Sequence, residues 1–90
     1  MNTPVVIGLS ITSGDNWVKA SATPLIANVG IGVSATTISM RMVGDAGPGA
    51  TFPTTSQVFK LEGVDLSKIE FSTTSGVPVK IAIIGNTRGA

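Results

Sequence analysis

Apolar residues recur along this chain at every second position and never at the spacing of a helix, and that period limits the fold more than any other feature. Val5, Ile7, Leu9 and Ile11 share one phase, so a strand here sets four branched or long side chains on one face. The alternation returns in residues 57–61, 68–72 and 77–84, which specifies half-buried antiparallel sheet. No stretch repeats apolar residues at i, i+3, i+4 and i+7 for three turns. Twenty of the ninety residues are Ser or Thr, types that favour sheet and turn over helix. The predicted class is all-β: a small antiparallel β-sandwich or jelly-roll-like barrel of about six to seven short strands. One domain covers residues 1–90, with short flexible tails at 1–4 and 86–90.

Turn residues divide the strands. Ser13, Gly14, Asp15 and Asn16 either tolerate positive φ or bond their own backbone, so they form a turn before a short strand over 17–21. Pro24 suits the start or edge of the next strand, and Gly30 and Gly32 loosen its path. Residues 34–43 form a central strand with Ile38, Met40 and Met42 on one face, and the glycine-rich run 44–49 is an exposed loop. Residues 63–67 are expected to make a one-turn hinge in which the Asp65 carboxylate caps the turn. Residues 72–76 are expected to close a hairpin between the strand holding Ile69 and Phe71 and the last strand.

A domain of this length buries only about 60–65% of its unfolded surface, so its core is thin. Small scaffolds usually add disulfides, a metal or an oligomer interface. The chain has no cysteine and no histidine, which removes disulfides, thiolate sites and the commonest transition-metal ligand, and leaves oligomerisation. Six Lys and Arg are scattered among five acids, the opposite of the clustered positive charge that nucleic acid or an anionic membrane requires. The apolar stretch over 4–11 has no basic residue before it and is interrupted by Gly8 and Ser10, so it is a strand and not a signal peptide. No run approaches the roughly 18–20 apolar residues of a membrane helix.

Catalytic equipment is equally sparse. The loop at 44–49 lacks the Lys-Ser/Thr pair of a phosphate-binding loop. The many hydroxyls have no histidine to activate them, and the acids are spread as a solvated surface would spread them. The expectation is a protein that is not an enzyme and holds no cofactor or metal. Candidate contact residues are Trp17, the lone tryptophan, which suits either a sugar or protein anchor or the rim of the core; Phe52; and Met40 and Met42, as core or subunit-interface fillers. The polar ends, represented by Asn2, Thr3, Pro4, Thr87 and Arg88, suit either arms that pair with a neighbour's sheet edge or frayed termini.

The string over residues 21–28, the Phe52-Pro53 pair, residues 59–71 and the closing residues 77–81 together resemble small β-sandwich virion proteins of tailed bacteriophages, of the capsid-decorating, cementing or head-fibre type. The resemblance spans roughly residues 17–84. It departs from the family at residues 54–56, where a glycine is usual, and at Glu70, where a tyrosine is common. It implies a homotrimer on the outer surface of a phage head, assembled in the host cytoplasm, binding the major capsid protein and reinforcing contacts between capsomers, with no nucleic-acid or membrane partner. A receptor- or carbohydrate-binding module of a head fibre or tail, with Trp17 as the stacking platform, and a neck or tail ring subunit are the alternatives. The physics of a charge-poor sheet domain with a marginal core points the same way. Such a domain gains stability by covering its edges and faces with further protein.

Overall fold

Strand β1 (Pro4–Ile11) pairs antiparallel with β8 (Val79–Thr87) in the computed structural model, which describes residues 3–87, and three further pairings nest inside that one. β2 (Val18–Lys19) pairs with β7 (Ile69–Thr73), β3 (Ile26–Val33) with β6 (Phe59–Asp65), and β4 (Ile38–Met42) with β5 (Ala50–Thr51). The pattern is one long hairpin rolled up. Further pairing of β3 with β8 and of β4 with β7 closes it into two four-stranded sheets, ordered β1-β8-β3-β6 and β2-β7-β4-β5. That order makes the sandwich a jelly roll, with eight strands where the sequence suggested about six to seven.

Alternation places the core between the sheets. Val5 and Ile11, Ala27 to Val33 by twos, and Val79, Ile81 and Ile83 face inward from the first sheet. Ile38, Ile69 and Phe71 face them from the second. Phe52 joins this core edge-on to Phe59, with centroids 5.1 Å apart, and stacked near Phe71 at 6.4 Å. Asp65 accepts hydrogen bonds from the Leu25 and Ser67 backbone N–H groups at 3.1 and 3.0 Å and from the Ser67 hydroxyl at 2.8 Å. One carboxylate thereby caps the 3₁₀ turn Leu66–Lys68 and ties the end of β6 to the segment that opens β3.

Several expected boundaries move. The hinge is confined to Leu66–Lys68, because residues 63–65 continue β6 through a bulge opposite Asn28, whose side-chain oxygen accepts the Gly63 N–H at 2.7 Å. Gly63 has φ of +63°, the left-handed conformation such a bulge needs. Gly30 and Gly32 do not loosen β3: both lie in regular register with β8. Residues 72–76 do not close a hairpin, since β7 ends at Thr73, β8 belongs to the opposite sheet, and residues 74–78 cross between the two. Pro4, Asn86 and Thr87, expected in the tails, belong to strands instead: Pro4 begins β1, and Asn86 and Thr87 end β8.

Candidate interaction surface

The outer face of the β1-β8-β3-β6 sheet is built from the opposite phase to the core. Across three strands Val6 faces Ile84, which faces Gly30. One row along, Gly8 faces Ala82, which faces Gly32. The first row is apolar and prominent, with Val6 76% and Ile84 59% exposed, and Val58, 62% exposed, lies over Gly30 in the space a Cβ would fill. The second row carries almost no side chain, and a Cβ added at Gly8 or Gly32 meets nothing within 4 Å. A shallow trough of about 580 Å³ follows this row, walled by residues 55–58, and a second of about 470 Å³ continues past Val58 and Ile84 towards Glu62. Lys60, Glu62 and Lys80 border the face. The result is a flat apolar strip with a charged margin, the layout of a protein-contact patch.

The outer face of the second sheet is polar and internally satisfied. Arg41 on β4 donates from Nε to Glu70 Oε1 on β7 at 2.7 Å. It also donates from a terminal guanidinium nitrogen to the Gly47 carbonyl at 2.8 Å, and its guanidinium carbon stands 3.9 Å from the centre of the Trp17 ring. Glu70 is only 8% exposed and does not belong to the solvated acidic surface the sequence suggested. A buried carboxylate requires a partner, and Arg41 supplies one. Trp17, Thr37, Ser39, Ser72 and Thr74 also line a hollow of about 230 Å³ on this side.

The candidate residues named from sequence do not form one site. Trp17 is half-buried, with one ring face taken by Arg41. Phe52 is 6% exposed and spends its ring on the core, so it does not present a surface contact. Met40 is half-buried against the core, and Met42 is exposed at the far end of β4. Thr3 and Thr87 are not free arms: the Thr87 N–H donates to the Thr3 carbonyl at 2.8 Å, and the Thr3 N–H donates to the Thr87 hydroxyl at 3.0 Å. Pro4 is the first residue of β1, and Asn2 and Arg88 lie outside the described residues. Sequence reasoning missed Val6, Val58 and Ile84. The signal was present in the second phase, where Val6, Gly8, Ala82 and Ile84 place no charge on faces that the alternation assigned to solvent.

Among the described residues no three His, Cys, Asp or Glu side chains come together as a metal would need. Protein-family models, curated proteins and solved structures give no match to this chain.

Proposed function

We propose that this chain is a structural protein of a bacteriophage particle, a decoration or cement subunit that binds the outer surface of the capsid and works by adhesion without catalysis. The observation that carries the reading is the strip formed by Val6, Val58 and Ile84 around the row Gly8, Ala82 and Gly32. Burying apolar surface contributes about 25 cal/mol per Å², and a face with few protruding side chains lets another protein's backbone approach closely. One such contact is weak, but repetition over a lattice multiplies it. The partners in this reading are the major capsid protein and further copies of the chain.

Jelly rolls serve both viral shells and lectins, and a fold alone does not choose between them. Glycan recognition by Trp17 is the rival, and it has some support in the hydroxyl-rich hollow beside the ring. The contact from Arg41 leaves fewer open ring faces for a sugar, whereas the apolar strip is unobstructed. Mass spectrometry of purified particles tests the proposal. It expects the chain in stoichiometric amounts on the head, and deletion of the gene should leave heads that rupture more readily under heat or chelation. Absence from the particle, or glycan binding that Trp17→Ala abolishes while heads remain equally resilient without the chain, would overturn it.

A further inference from the structure

The four sheet edges of this sandwich are not equivalent. β2 and β5 have two residues each, too short to template a partner. β6 is bulged at Gly63 and carries Lys60 and Glu62. β1 alone is long, regular and without a charged residue. The Thr87 N–H to Thr3 carbonyl bond fixes the parity of its pairing with β8. Val5, Ile7, Leu9 and Ile11 form the hydrogen-bonded pairs, so the N–H and C=O groups of Val6, Gly8 and Ser10 point away from the sheet. The same edge leaves Ile7 and Leu9 half-buried, although both face the core side, while Val5 and Ile11 at either end are buried.

We infer that β1 is a self-association edge, on which a second copy of this chain pairs antiparallel about a two-fold axis at Gly8 and makes one continuous eight-stranded sheet. With the axis there, Val6 pairs with Ser10 of the other copy and Gly8 with its own counterpart, each pair exchanging two hydrogen bonds. Pro4, which has no N–H, falls beyond the paired residues. On the core side Ile7 comes opposite Leu9 of the other copy and each covers the other. A shift that centres the axis on Ile7 instead sets Leu9 against the already buried Val5 and draws Pro4 into the ladder. The resemblance to phage virion proteins implied three-fold association, but a ring would need β1 to meet a different edge of its neighbour, and those edges are short or bulged. An antiparallel strand pairing with itself is two-fold by construction.

The inference stands apart from the proposed function. A single chain that still binds heads would sink the pairing and leave adhesion intact, and a dimer that ignores heads would do the reverse. Light scattering of the full chain at tens of micromolar should give about twice its 9.1 kDa mass. Gly8→Pro removes an outward N–H without touching a bond to β8, so it should halve the mass while circular dichroism keeps its strand signature. Should that variant not fold, Gly8→Cys decides. The chain is cysteine-free, and a Cβ at position 8 has open space, so mild oxidation should cross-link Gly8→Cys nearly completely and Lys60→Cys hardly at all. A mass of one or three chains, a folded Gly8→Pro variant that stays dimeric, or cross-linking favouring Lys60→Cys would overturn the inference.

Discussion

Replacing Arg41 by Met keeps most of the aliphatic stem and withdraws the guanidinium that faces Glu70. Removing one partner of a buried pair strands the other charge, at about 3–5 kcal/mol. The two side chains here are 18% and 10% exposed, which argues for the lower end, near 3 kcal/mol. Loss of the hydrogen bond to the Gly47 carbonyl adds about 1 kcal/mol, and loss of the contact with Trp17 adds about 0.5–1 kcal/mol. Arg41→Met should therefore destabilise the fold by about 4.5–5 kcal/mol, a large part of the roughly 5–13 kcal/mol expected for a domain of this length. Removing the stranded carboxylate as well should restore stability. Arg41→Met/Glu70→Leu forfeits the Gly47 and Trp17 contacts but buries no lone charge, so it should be more stable than Arg41→Met by about 3 kcal/mol. Urea unfolding at one fixed protein concentration, followed by circular dichroism and by Trp17 fluorescence, measures both. A double variant as unstable as Arg41→Met, or less stable, would refute the reasoning that Glu70 is a buried charge held by Arg41.

Gly85→Ala should destabilise by at least about 2 kcal/mol in the same assay, because its Cβ would overlap the Asn28 carbonyl and come within 2.7 Å of Val29 Cα, forcing β3 and β8 apart. Gly32→Ala, with open space above it, should stay within about 1 kcal/mol on the stabilising side. The Asp65 carboxyl is held below the usual aspartate range by the Ser67 hydroxyl first, then by the Leu25 and Ser67 N–H groups. A depressed folded-state pKa gives stability that is present above the unfolded value, near 3.8, and lost as pH falls through the folded value. Asp65→Asn should thus lower the melting temperature at neutral pH, and its gap from the parent protein should narrow as the pH falls below 3.8.

The parts of the fold that depend on local pattern were legible in the sequence. Val5, Ile7, Leu9 and Ile11 defined the inner face of β1, the run 44–49 is an exposed loop, and Asp65 caps its turn as its position before Leu66 and Ser67 suggested. What escaped depends on partners distant in sequence. The segment after β7 looked like a hairpin because Ser, Thr and Gly fill it, but which sheet receives β8 is decided by β1 and β3, more than forty residues away. Glu70 looked solvated because its partner Arg41 lies on β4, distant in sequence, where the Gly47 carbonyl and the Trp17 ring also hold the guanidinium. The exposed apolar face was obscured for a related reason. Alternation marks the residues that turn away from the core, and only the cross-strand register reveals that Val6, Ile84 and Gly30 stand in one row.

Retention of the purified chain on heads that lack it, compared with the Val6→Lys and Ile84→Lys variants, tests the proposed adhesive role of this face most directly. Both side chains project into solvent, so their replacement should leave the melting temperature nearly unchanged. The account predicts that the parent chain sediments with the heads while either variant, still folded, stays in the supernatant. Equal sedimentation of the parent chain and both folded variants would contradict it.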